Sequence, residues 1–227
     1  MSYNNGPRIV TNGLVIYLDA GNHKSYPGTG TTWNDLSGNG NNGTLTNGPT
    51  FNTSNKGSIE LDGADDYISF GDILNLGTSD FTLEAIAKKT SGGDYYSRIA
   101  AKATYTSPGW SFYFGQSPGS SAPSVYFAWD SNWTSIDGTA PLVFNQYYHL
   151  LTTRNGNTIA LYINGALQSS KTLTYNFNSN YSYILGGNGT GAENFYGNLA
   201  LWRHYTKGFS TTEVLQNYNA TKGRFGL

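Results

Sequence analysis

Residues 155–165 read N-G-N-T-I-A-L-Y-I-N-G, and no other stretch limits the fold as tightly. Asn-Gly at each end supplies the positive φ angles that a tight hairpin turn needs. Between them, Ile159, Leu161 and Ile163 alternate with Ala160 and Tyr162, the period-two signature of a strand with a buried face. The spacing predicts a three-stranded meander over 147–173. The same alternation returns in Phe81, Leu83 and Ala85, in Trp110, Phe112 and Phe114, and in Val125, Phe127 and Trp129. Leu199 and Leu201 read as one further inward-facing pair. Strands recurring at short intervals from residue 14 to 205 predict an all-β chain, a two-sheet antiparallel sandwich. Its 227 residues suit one large domain of this kind.

One helix is expected near the C-terminus. Ser210-Thr211-Thr212-Glu213 is a capping box, a hydroxyl N-cap with Glu at the third helical position. Val214, Leu215 and Tyr218 then lie at helical spacing, and Gly223 reads as the stop. Such a helix is expected to cross a sheet edge or one end of a sheet. Residues 1–8 read as a flexible arm and 9–227 as a single domain.

Several functional classes are disfavoured by composition. The net charge is −1 with no basic stripe, which argues against nucleic acid as a partner. No Lys/Arg cluster points to anionic membranes, and no apolar run is long enough to span one. With no cysteine, a disulfide framework, a thiolate metal site and a Cys nucleophile are all impossible. Residues 1–7 lack the charged and apolar regions of an export signal, so the expectation is assembly in the cytoplasm or export by a route the sequence does not show. Gly38, Gly40 and Gly43 spell the dinucleotide fingerprint G-x-G-x-x-G. They follow no apolar run and open no helix, so the context that would seat a pyrophosphate is missing.

The order of short motifs resembles a known family. Residues 13–19 (GLVIYLD) and 33–45 (WNDLSGNGNNGTL) are similar to the opening of a laminin G-like, concanavalin A-like jelly roll. Residues 59–68 (IELDGADDYI), 81–85 (FTLEA), 161–165 (LYING), 195–200 (FYGNLA) and 213–218 (EVLQNY) follow in the family's order. The resemblance implies a jelly-roll sandwich with one short C-terminal helix, and makes glycines 38, 40 and 43 part of a tight loop between early strands. Residues 7–13 and 217–227 are similar to a narrower group, single-domain jelly rolls among structural proteins of tailed phages, marine ones especially. That implies a virion component assembled in the host cytoplasm: a capsid decoration protein, head fibre or tail adhesin. Its partners would be phage capsid or tail proteins, a host surface glycan and further copies of itself. Two alternatives stay open, a free or cell-surface lectin module and a divergent glucanase.

The fold alone does not separate these, so the sites must. Glucanases of the retaining type need two carboxylates about 5 Å apart. Glu60-x-Asp62-x-x-Asp65 comes near that pattern, but Asp62-Gly63 is a turn signal that puts Asp65 past a bend. No G-x-S-x-G elbow occurs, and His23, His149 and His204 are far apart in sequence, so no catalytic set is expected. Relatives hold Ca²⁺ at a sandwich rim through oxygen ligands. The best matching cluster is Asp19, Asn22, Asp35 and Asn39; the alternative is that Asp35 and Asn39 cap turns. The segment 186–193 carries few acids, which leaves a second calcium position of the family without its ligands. Glycan recognition needs aromatic platforms beside amide or carboxylate groups. Trp110 and Trp129 are in phase with the core. Trp133, in the polar run Asp130-Ser131-Asn132-Trp133, is the leading platform, with Asn132 and Asp130 beside it. Tyr95 and Tyr96, after Gly92-Gly93-Asp94, come next. The competing reading tucks these loop aromatics under the rim.

Overall fold

The computed structural model describes residues 7–103, 109–116, 123–129, 134–189 and 193–227. Among these, the chain forms β1 (Leu14–Asp19), β2 (Thr32–Trp33), β3 (Gly43–Thr46), β4 (Thr50–Asn52), β5 (Ser58–Asp62) and β6 (Tyr67–Ser69). Then come β7 (Phe81–Lys89), β8 (Arg98–Lys102), β9 (Trp110–Gln116), β10 (Pro123–Trp129) and β11 (Thr134–Asp137). The remainder is β12 (Tyr147–Asn155), β13 (Thr158–Ile163), β14 (Ala166–Thr172), β15 (Ile184–Leu185), β16 (Tyr196–Tyr205) and helix α1 (Thr211–Phe225).

The strands make two antiparallel sheets, as the alternation requires. Sheet A runs β14-β13-β12-β7-β16-β5-β4, with β1 also paired to β16. Sheet B runs β11-β10-β9-β8-β15-β6-β3-β2. The expected meander is β12-β13-β14, and its second turn places Asn164 and Gly165 at φ of 49° and 77°. Two positive angles in succession make a type I′ turn, whose twist matches that of the strands it joins.

The main core lies between the sheets. Leu83 and Ala85 of β7 face Trp110, Phe112 and Phe114 of β9 and Val125, Phe127 and Trp129 of β10. Tyr183 accepts a hydrogen bond from Trp202 Nε1 at 3.0 Å, so the buried indole keeps a partner. The Leu199/Leu201 expectation needs correction. The ladder between β16 and β7 slips one residue there, so Leu199 enters the main core while Leu201 joins the cluster on the outer face of sheet A. A β-bulge adds one residue to a strand and so reverses the faces beyond it.

Helix α1 starts at the expected capping box: Ser210 Oγ accepts from the Glu213 N–H, and the Glu213 carboxylate accepts from the Ser210 N–H. Three other expectations for it change. It lies on the outer face of sheet A, where Val214 meets Leu151, Tyr205 and Phe209, and Phe225 meets Ile86, Tyr147 and Leu201. Its buried stripe is Val214, Asn217, Thr221 and Phe225, with Leu215 turned to solvent. It also passes through Gly223 and stops at Gly226, whose φ is 71°. Burial of Phe225, and the ion pair of Arg224 with Asp19, hold the last turn in place.

Within the G-x-G-x-x-G loop, Gly38 and Gly40 have φ of 90° and 75°. Gly43 is required for a different reason. A Cβ there would lie 2.5 Å from Ile68 Cγ2, so β3 could not approach β6.

Candidate functional site at one rim of the sandwich

Strand β7 runs toward Lys89, β5 runs toward Asp62, and β16 starts at Tyr196. Antiparallel pairing places these three ends at one rim. Three connections meet there: the turn 63–66, the loop 90–97 and the segment 193–195.

They are cross-braced. Asp62 Oδ1 accepts from the Ala64 N–H at 2.8 Å and the Asp65 N–H at 3.4 Å. Asp66 Oδ2 accepts from the Asp62 N–H at 3.0 Å. Asn194 donates its amide to the Ala64 carbonyl, and its backbone N–H to Asp94 Oδ2 at 2.8 Å. Lys89 is buried, and its ammonium donates to Ser97 Oγ at 2.6 Å and reaches the carbonyls of Gly92 and Asp94. Burial lowers the Lys89 ammonium to about 8, with Asp94 pulling the other way. Gly63 and Gly93 both pack against Tyr196; a Cβ on either would come within 2.6 and 2.8 Å of its Cβ.

An open cleft of about 340 Å³ lies between the 47–50 turn, β5, Asp66 and the start of β16, lined by Asn47, Thr50, Glu60, Asp62, Asp66 and Tyr196. One aromatic ring beside carboxylates and an amide is the composition that packs a sugar face and reads its hydroxyls. The ligand oxygens of Asp62, Asp65 and Asp66 lie within 4.8 Å of one another. Asp66 is buried while the other two are exposed. Burial, reinforced by the charges of Asp62 and Asp65, raises the Asp66 carboxyl above its ordinary value. Such an all-oxygen set suits a hard cation such as Ca²⁺.

Tyr95 and Tyr96 belong to the same rim. Their ring centroids are 6.2 Å apart, and Tyr95 is 46% exposed. Tyr96 packs on Tyr113, Tyr126 and Ala128, on the outer face of sheet B. The rings of Tyr113 and Tyr126 stack at 4.4 Å. Arg98 lies over Tyr113 and pairs with Glu193, whose φ is 57°. Tyr95 is therefore the outer end of an aromatic series that begins in the sheet. Trp133, Asn132 and Asp130 lie outside the described residues.

The other sequence-derived set lies elsewhere. Asp19 Oδ1 accepts from the Gly21 N–H and pairs with Arg224. Asn22 Oδ1 accepts from the Lys24 N–H. Both Asp35 oxygens accept hydrogen bonds, from the N–H groups of Tyr17, Ser37 and Asn41 and from Ser37 Oγ. Asn39 donates to the Leu14 carbonyl. As placed, the oxygens of Asp19, Asn22 and Asp35 meet N–H donors and Arg224, and Asn39 is tied to β1.

Sequence reasoning weighed Asp62 and Asp65 as catalysts or as residues that fix a turn, and did not single out Tyr196, Asp94 or Asn194. The acidic run Asp62-Gly63-Ala64-Asp65-Asp66 was the one available signal. The long-range contacts of Asn194 left none.

Comparison with known proteins fits the two-sheet fold. The sequence profile described as "Concanavalin A-like lectin/glucanases superfamily" matches residues 62–215. The binding domain of Paraclostridial Mosquitocidal Protein 1 superposes with a TM-score of 0.68 at 21% identity, over 92% of this chain and 52% of that one. Domain 4 of AbnA, a GH43 extracellular arabinanase from Geobacillus stearothermophilus solved in complex with arabinotriose, gives 0.68 at 17% identity, over 90% of this chain and 98% of its own. The Botulinum Neurotoxin Type G receptor binding domain gives 0.63 at 16% identity, over 91% and 51%. This chain thus spans about half the length of the two toxin domains, 52% and 51%. At these identities the likeness is one of fold. Among curated proteins no sequence match is found.

Proposed function

The chain belongs to the concanavalin A-like lectin/glucanases superfamily, and from that premise we propose that it is a non-enzymatic carbohydrate-binding module. Its ligand seats at this rim, in the cleft between the 47–50 turn, the end of β5, Asp66 and the start of β16. The observation that carries this reading is the convergence of Tyr196 with Asn47, Glu60, Asp62 and Asp66 around one cleft. Tyr196 gives a sugar ring its apolar floor, and the carboxylates and Asn47 read its hydroxyls. AbnA domain 4, solved with arabinotriose, is a relative in fold that holds a saccharide. A glycan array tests the proposal. Saturable binding to a defined glycan class supports it, and a blank array at micromolar protein would reject it.

The location in the proposal is a tailed-phage particle, as a capsid decoration protein or a head or tail fibre adhesin bound to capsid or tail proteins. It rests on the resemblance carried by residues 7–13 and 217–227. Counting this chain against the major capsid protein in banded virions, by quantitative mass spectrometry, tests it. A ratio near one supports decoration, a minor ratio an adhesin, and absence removes the virion.

A second reading, glycoside hydrolysis, is favoured by one observation: Asp62 and Asp66 are within the span of a retaining pair, and one of them has a raised carboxyl. Against it, Asp66 holds the backbone of Asp62, and Asp62 in turn caps the bend that follows β5. Chromatography of array-positive glycans after incubation separates the two readings, since binding alone leaves them intact.

A further inference from the structure

The opposite end of the sandwich carries a second cleft, of about 240 Å³, between the β6–β7 connection and the end of β16. Leu74, Leu76 and Phe81 give it apolar walls, with Ser79 and Asp80 at its mouth and His204 lining it. His204 pairs with Leu83 across the β16–β7 ladder, so its ring points between the sheets, 5.7 Å from Tyr183. The residue is 1% exposed, and its Nδ1 has no hydrogen-bond partner. A buried polar atom without a partner costs folding free energy, so its retention calls for an explanation. Leu74 sits at φ 51°, a left-handed backbone that a bulky residue seldom adopts. Strain of this kind gathers where a fold shapes a ligand site.

We propose that this cleft binds a single uncharged, hydroxylated ring, a sugar residue or a polyol of that size. The volume is below the range of drug-sized sites, which limits the occupant to a small molecule. Among the described residues Asp80 is the only charged one in the lining, and it spends Oδ1 on the Gly156 N–H at 2.7 Å, so these residues offer no cation for an anionic ligand. A neutral imidazole has one N–H and one lone pair, and a hydroxyl can satisfy either one. The C–H face of the ring lies on Leu74 and Phe81. The site is separate from the rim and does not depend on it.

The test uses the three histidines as probes. Protein labelled with ¹³C at the imidazoles gives signals for His23, His149 and His204, and His204→Phe assigns the last. Titration with free hexoses, pentoses and glycerol is expected to move the His204 signal saturably for at least one compound. Ser79→Trp, which fills the mouth from an exposed position, is expected to weaken that response at least tenfold with an unchanged melting temperature. Tyr196→Ala is expected to leave it intact, which separates this site from the rim. An immobile His204 signal up to roughly 100 mM sugar overturns the proposal. A response equal in Ser79→Trp, or one seen with zinc but no sugar, overturns it too.

Discussion

Asn217 Nδ2 lies 2.7 Å from Glu84 Oε2, so helix α1 and the central strand β7 are joined by one hydrogen bond between two fully buried side chains. The same amide nitrogen donates to the Tyr205 hydroxyl at 2.9 Å, and Asn217 Oδ1 accepts from the Val10 N–H at 2.8 Å. Glu84 Oε1 accepts from His149 Nε2 and Arg203, each at 2.9 Å. One asparagine therefore ties the start of the chain, the helix and sheet A together.

Asn217→Ala leaves the Glu84 carboxylate short of one donor and the Val10 N–H short of an acceptor. A loss of about 2–3 kcal/mol in urea denaturation is expected, in line with hydrogen bonds to a buried charge. Leu215→Ala, one turn face away and exposed, should cost less than about 0.5 kcal/mol.

Burial holds the His204 imidazole down to about 3, against an ordinary 6.5. The unfolded chain takes up a proton there that the folded chain refuses. Stability from this group is complete above pH 6.5 and falls as the pH drops toward 3. Between pH 7 and 5 the loss approaches about 2 kcal/mol. Denaturation of wild type and His204→Phe at both values checks this, and the variant should show a shallower slope.

Glu84 acts in a lower window. Burial pushes its carboxyl up, but the Arg203 charge and the hydrogen bonds of His149 and Asn217 outweigh that and bring it to about 2, from an ordinary 4.5. Its contribution is therefore present above pH 4.5 and disappears as pH falls toward 2. Acid unfolding of Glu84→Gln should be less steep than wild type between these limits, from a lower starting stability.

Asp62, Asp65 and Asp66 are the described acids whose ligand atoms come together. Millimolar Ca²⁺ is expected to raise the melting temperature by about 2–4 °C, and Asp65→Asn to remove the shift. Identical melts in EDTA and Ca²⁺ would leave these acids with the turn alone.

Much of this could be read from the chain. The meander over 147–173, the inward tryptophans 110 and 129 and the capping box at Ser210 follow local rules, in which each residue type reports its own backbone or face. The misreadings share one cause, long-range context. A bulge beside Leu199 is silent in an alternating pattern. Asn217 was not among the expected buried helix residues, because its partner, Glu84, lies 133 positions away in sequence. Apolar counting then turned the helix toward Leu215. The rim was half legible: Asp62 and Asp65 stood out as acids, and Tyr95 and Tyr96 as loop aromatics. That Tyr196 and Asn194 bind those loops together depends on strand order, which no local pattern encodes.

The most direct test of carbohydrate binding at the rim is calorimetric titration of wild type and Tyr196→Ala with the strongest glycan from the array. At least a tenfold loss of affinity is expected in Tyr196→Ala at an unchanged fold. Equal affinity in the two proteins would contradict it and move the ligand away from this cleft.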